Sequence, residues 1–120
     1  MKFDYFNPHL LAGKTALVTG GATGIGHAMA RGLGAVGARV VIASRNSDRL
    51  QAAVEALRAD GVDASWTALD VRDADAVERT VATIVEDNGG LDILVNNAGG
   101  TFPKKAEELT PNGFRAIVDV

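Results

Sequence analysis

Four short apolar runs, rich in β-branched residues, stand out along the chain at 15–19, 39–43, 64–69 and 91–95, each ending near polar or glycine-rich positions. Runs of this length bounded by turn residues read as buried strands. Between them lie three stretches whose apolar residues recur at helical spacing: Ile25, Met29, Leu33 and Val36; then Leu50, Val54 and Leu57; then Val77, Val81, Ile84 and Val85. Gly37 and Gly61 close the first two predicted helices, where a left-handed residue costs glycine least, and Asn88-Gly89-Gly90 ends the third. Ser47 and Asp73 are the expected N-caps of the second and third, since their side-chain oxygens can accept the free amides there. Asp70 is expected to close the third strand.

Near-continuous apolar strands joined by helices imply a parallel sheet covered on both faces, a doubly wound α/β layer. The strands recur at nearly even intervals, which raises a repeat solenoid as an alternative. The units share a pattern but not a sequence, and only the first has a glycine-rich turn, so a single sheet is the better reading. A further helix is predicted from Thr110-Pro111 through Phe114, Ile117 and Val118, and the chain ends at Val120 inside that apolar pattern. The fourth strand also lacks a partner on one edge. Both features suggest the first part of a longer fold.

At 120 residues the chain has room for one domain. Its 47% hydrophobic and 22% charged content is that of a globular domain. A net charge of -3 offers no basic face for a run of phosphates, which argues against nucleic-acid binding, as does an aromatic content of 5% for base stacking. The absence of cysteine excludes disulfides, thiolate metal sites and a cysteine nucleophile. Residues 1–13 mix a charged pair, a proline and scattered aromatics, so they read as an N-terminal arm rather than a signal peptide. No apolar run approaches the roughly 20 residues of a membrane span. A cytoplasmic location is therefore expected.

Directly after the first strand comes Thr19-Gly20-Gly21-Ala22-Thr23-Gly24-Ile25-Gly26, with a helix starting inside it. Glycine richness alone is a weak signal, but this position gives each glycine a task. Gly20 permits the tight turn, Gly24 lets a pyrophosphate approach the backbone, and Gly26 lets helix and sheet pack closely. The free amides around Thr23 to Gly26 then face an anion from the positive end of the helix.

The spacing Thr-Gly-x-x-x-Gly-x-Gly, together with Asn96-Asn97-Ala98-Gly99 after the fourth strand, resembles the short-chain dehydrogenase/reductase family, over essentially the whole chain from Leu11. The resemblance implies a Rossmann-like sheet of strand order 3-2-1-4 and a dinucleotide-binding domain over 14–120. Gly20, Gly21, Thr23, Gly24, Ile25 and Gly26 are its expected cofactor contacts. At the end of the second strand an acid would hold the ribose hydroxyls of NAD, whereas this chain has Ser44-Arg45. A guanidinium pairs with a 2′-phosphate, so NADP is expected over NAD. The resemblance also implies that Asp70 accepts from the adenine amine beside Val71, and that Asn96, Ala98 and Gly99 line the ribose on the nicotinamide side.

Members of that family reduce a carbonyl or oxidise an alcohol by hydride transfer, using a tyrosine, a lysine four residues later, a serine and an asparagine. The only tyrosine here is Tyr5, followed four residues on by His9, and Ser44, Ser47 and Ser65 all precede the fourth strand. The family's asparagine would lie just beyond Val120, so the 120-residue chain is expected to be inactive alone. His9 and His27 are isolated, which leaves no metal site, and His27 is expected on the solvated outer face of its helix. Glu107-Glu108 read as surface charge rather than an acid/base pair. Lys104-Lys105 read as loop charge, with an anionic substrate such as an acyl-CoA as the second reading. Residues 10–14 and 21–24 add a likeness to dienoyl-CoA reductases within the family.

The leading expectation is thus the NADP-binding half of an oxidoreductase acting on a small carbonyl, alcohol or enoyl substrate, homo-oligomeric as family members are. A nucleotide-binding module without chemistry is the alternative. A sugar-nucleotide epimerase is a third reading, disfavoured by the three residues between the first two motif glycines.

Overall fold

The computed structural model describes residues 5–99. The apolar runs build one sheet, buried without interruption along most of its two longest-buried strands. Strand β1 (Thr15–Thr19) lies at its centre with all five residues buried, flanked by β2 (Arg39–Ser44) and β4 (Ile93–Val95), with β3 (Ala64–Ala68) outside β2. All pairings are parallel and the order is β3-β2-β1-β4, the order expected for a Rossmann-like sheet. Helices α1 (Gly24–Ala35), α2 (Ser47–Ala59) and α3 (Ala74–Asn88) supply the crossovers.

The two-residue period of the strands divides the core. Val18, Val40 and Ile42 face Ala30, Leu50, Val54 and Leu57, so α1 and α2 cover one side. Leu17, Val41, Ala43 and Leu69 face Ile84, so α3 covers the other. Buried aliphatic side chains of this size contribute about 1.5–3 kcal/mol each, which makes the α1/α2 side the better anchored of the two. The end of the arm is tied to this body: the Leu11 amide donates to the Val36 carbonyl at 2.8 Å, and the Leu11 side chain packs on the core.

Several elements differ from expectation, each for a physical reason. The N-cap of α2 is Asn46, not Ser47: the Asn46 side chain accepts from the Arg49 amide at 3.1 Å, and Ser47 is already helical. Asparagine caps as well as serine, so the helix starts one residue early. Asp73 does cap α3, accepting from the Ala76 amide at 3.1 Å. The fourth strand begins at Ile93 rather than residue 91, because the Asp92 carboxylate accepts from the Thr15 amide while its own amide donates to the Thr15 carbonyl, each at 2.9 Å. The third ends at Ala68, although the Leu69 amide still reaches the Ser44 carbonyl at 2.7 Å.

The largest difference is in α1. Ile25 and Met29, expected in the core, are 70% and 42% exposed. In its first half the helix makes its contact through Gly26 and Ala30, while Leu33 packs against the core and Val36 is buried as expected. On α3, Ile84 is buried but Val85 is 42% exposed. Among the described residues no helix is long and apolar enough to cross a membrane. Expectations for Lys104, Lys105, Glu107, Glu108 and the helix from Thr110 to Val118 lie outside the described residues.

Candidate functional site

Every candidate position among the described residues lies at or just beyond the carboxyl ends of the strands, the side on which open α/β sheets bind ligands. The turn after β1 is held by main-chain and hydroxyl contacts. The Gly20 amide donates to the Ala43 carbonyl at 2.8 Å, and Gly20 has φ +65°, a left-handed conformation that glycine adopts without strain.

Thr19, at the end of β1, has every hydrogen-bonding capacity of its hydroxyl in use. It donates to the Val95 carbonyl at 3.2 Å and accepts from the amides of Asn97 and Ala98, each at 3.0 Å. The Asn97 side-chain amide donates to the Gly20 carbonyl at 3.3 Å. The glycine turn and the Asn96–Gly99 segment are therefore one rigid unit, fastened by Thr19 and Asn97. Neither residue was singled out for this in the sequence, because the bonds join positions 76 to 79 residues apart.

Two glycines do opposite things here. A Cβ on Gly26 would overlap the Gly20 carbonyl oxygen and the Asn97 side-chain nitrogen, so Gly26 makes the close approach of helix to turn possible. A Cβ on Gly24, with φ +58°, would meet nothing within 4 Å. The space above Gly24 is open at the start of α1. Thr23, the N-cap there, makes no side-chain capping bond, and the first turn carries no acid. Among the described residues, no capping side chain or acid serves the amides at the positive end of α1. Gly21 is buried against Ile42, whose Cγ2 would lie 2.6 Å from a Cβ there. His27 corrects an expectation: it is half-buried, and its Nδ1 lies 3.3 Å from the Gly21 carbonyl oxygen rather than in solvent.

An open groove of about 640 Å³ runs from this turn to the start of α2, lined by Gly20, Ala22, Thr23, Ser44, Arg45, Asn46, Ser47, Asp48, Arg49 and Gly99. It brings together five of the expected positions: Gly20, Thr23, Ser44, Arg45 and Gly99. Gly24 and Ile25 are exposed at the head of α1, and Gly21 and Gly26 lie buried beneath the turn. Asp70, Val71, Asn96 and Ala98 are not in its lining. Asn46 to Arg49 joined the site unforeseen. The signal for them was the short β2–α2 connection, which sets the first turn of α2 against the groove. Two arginines and one aspartate give the lining a net positive charge.

Asp70 sits two residues past Ala68, which pairs with Ser44, so it borders the same end of the sheet. Among the described residues, its carboxylate is hydrogen-bonded by a single neighbour. Arg72 donates from Nε to Oδ1 at 3.0 Å, from Nη2 to Oδ2 at 2.9 Å, and from its main-chain amide to Oδ1 at 3.0 Å. The Arg72 guanidinium, then its amide, lower the Asp70 carboxyl from 3.8 to about 2, and the charge of Arg45 assists. Arg72 is raised in turn by the same contact. No cluster of three or more metal-ligating side chains occurs among the described residues.

The sequence from residue 14 to residue 120 matches the family model of short chain dehydrogenases. The chain is 42% identical over 115 residues to a peroxisomal 2,4-dienoyl-CoA reductase of Arabidopsis thaliana, covering 96% of this chain and 39% of that protein. Among solved structures it superposes on a citronellol catabolism dehydrogenase of Pseudomonas aeruginosa with a TM-score of 0.87 and 38% identity, covering 95% of this chain and 46% of that one. An actinorhodin polyketide ketoreductase solved with NADPH gives a TM-score of 0.82 and 39% identity, over 88% of this chain and 41% of that one. The chain spans less than half the length of each of these relatives. The match over nearly the whole chain, on a parallel sheet with a glycine turn after its central strand, means that this protein belongs to the short chain dehydrogenase family.

Proposed function

We propose that the chain is the NADP(H)-binding part of an oxidoreductase that moves hydride between a nicotinamide and a carbonyl, alcohol or enoyl carbon. The observation that carries this reading is the pairing of an uncapped, acid-free start of α1 with Arg45 in the same groove. A dinucleotide phosphate fits those residues. The amides at the head of α1 and the open space over Gly24 suit its pyrophosphate, and Arg45 with Ser44 suits its 2′-phosphate. The bound nicotinamide supplies the hydride chemistry. The protein's described residues bind and orient: Thr19 and Asn97 hold the segment through Gly99 against the turn, and Asp70 offers a fixed carboxylate for an adenine amine.

NADP is the preferred cofactor in this reading because no carboxylate stands at the end of β2, where one would repel a 2′-phosphate. A charged contact of roughly 1.5–3 kcal/mol corresponds to about a 10- to 150-fold preference. Residues 1–13 act as an arm and 14–120 as the cofactor domain, in keeping with the start of the family match at residue 14. The name of the Arabidopsis relative makes an acyl-CoA the substrate to try first. The working protein is a cytoplasmic homo-oligomer in this account.

Titration of the full-length protein tests the reading. Arg45→Ala should weaken NADPH binding about 10- to 150-fold and leave NADH binding nearly unchanged. Equal losses for both cofactors would contradict it. A second reading is a nucleotide-binding module without chemistry. Oxidation of NADPH by the full-length protein with dienoyl-CoA or a carbonyl panel excludes it, and binding without turnover supports it.

A further inference from the structure

The exposed Asp70–Arg72 ion pair has a defined hydrogen-bond pattern. A carboxylate has about four acceptor positions, two on each oxygen. Arg72 fills three of them: two on Oδ1, from its main-chain amide and Nε, and one on Oδ2, from Nη2. The pair belongs to one turn, since Asp70 and Arg72 are two residues apart and Asp73 then caps α3, its amide donating to the Asp70 carbonyl at 3.0 Å. The two ends of the turn are thus fixed, by Leu69 on β2 and by the α3 cap, and the guanidinium sets the carboxylate plane between them.

We propose that Arg72 is a positioning residue that occupies every acceptor of Asp70 except one on Oδ2, turning the carboxylate into a reader of a single N–H, that of the adenine amine. This rests on the proposed cofactor reading. One remaining acceptor suits one amine hydrogen and does not suit a pair of ribose hydroxyls. It also disfavours a purine with a 6-oxo group, which presents an acceptor to an acceptor. The bidentate fork is a property of arginine, so lysine at this position would hold the carboxylate by a point charge and leave its plane free. Arg72 also lowers the Asp70 carboxyl from 3.8 to about 2.

The test uses the full-length protein and two cofactors differing only at purine C6: NADPH and nicotinamide hypoxanthine dinucleotide phosphate in its reduced form. Affinities are measured by calorimetry for wild type, Asp70→Ala, Arg72→Ala and Arg72→Lys. Wild type should favour NADPH about ten-fold or more. Arg72→Ala should bring the ratio close to that of Asp70→Ala by weakening NADPH while the hypoxanthine cofactor holds its affinity, and Arg72→Lys should restore it only in part. A role confined to folding would lower both affinities together and leave the ratio unchanged, which would overturn the inference. If Asp70→Ala collapses the ratio and Arg72→Ala does not, the Arg72 role fails and the adenine reading stands. A wild-type ratio near one would overturn both.

Discussion

The starts of α1 and α2 face the same groove and are built in opposite ways. At α2, Asn46 accepts from the Arg49 amide and Asp48 sits in the first turn, so the helix satisfies and neutralises its own positive end. α3 repeats this with Asp73 and Asp75. At α1, Thr23 makes no capping bond, no acid follows, and the first turn contains two glycines. A cap contributes about 1 kcal/mol, so α1 forgoes a stabilisation that its neighbours have. What α1 has instead is close packing: Gly26 lies against the Gly20 carbonyl, and Thr19 and Asn97 fasten the turn to the end of β4. The start of α2 is held by its cap, and the start of α1 by tertiary contacts that leave its amides free. In the proposed reading, the head of α1 is where the cofactor's pyrophosphate belongs.

Gly26→Ala should have the largest effect. Its methyl group would collide with backbone, at a cost of about 1–3 kcal/mol, and thermal denaturation should show a lowered midpoint together with loss of NADPH binding. Unchanged stability would mean that the turn can yield. Thr23→Asp gives α1 the kind of start that α2 has. It should leave stability equal or higher while weakening NADPH roughly ten-fold, because the new carboxylate competes with the pyrophosphate for the same amides. Tighter binding would contradict the comparison. Asp73→Ala is the matching change on a self-sufficient helix, expected to lose about 1 kcal/mol in denaturant titration without altering nucleotide affinity.

The smallest effect concerns pH. Because folding lowers the Asp70 carboxyl from 3.8 to about 2, its ion pair adds stability above pH 3.8 that is lost as pH falls toward 2. Asp70→Asn should therefore differ from wild type at pH 5 and converge with it near pH 2, followed by urea midpoints. The pair is exposed, so the difference should be modest.

Much of the fold was legible because it rests on signals that hydropathy carries. The apolar runs at 15–19, 39–43 and 64–69 located three strands to within a residue at either end, and the alternation with helices required a parallel sheet. The order β3-β2-β1-β4 came with the family resemblance. The buried face of α1 was legible only in its second half, where Leu33 and Val36 pack inward; in the first half glycine and alanine make the contact while the larger Ile25 and Met29 point outward. A hydropathy stripe records size and apolarity, not closeness of approach. The Arg72 clamp and the Thr19 hydroxyl bonds were missed for a related reason. Both are satisfied polar contacts whose residue types look like ordinary turn and strand-end positions: the Thr19 partners are distant in sequence, and the Asp70–Arg72 contact depends on a local turn geometry that hydropathy does not record. The glycine turn itself was read from spacing and position, since the tight turn at Gly20 and the packing of Gly26 each demand that residue.

The most direct test is a calorimetric comparison of NADPH and NADH binding to the full-length wild-type protein at near-physiological salt. NADPH should bind about 10- to 150-fold more tightly, through Arg45 in the lining of the groove. Equal affinities, or a preference for NADH, would contradict it, and would mean that Arg45 is a solvated charge and that the groove is built for ribose hydroxyls instead.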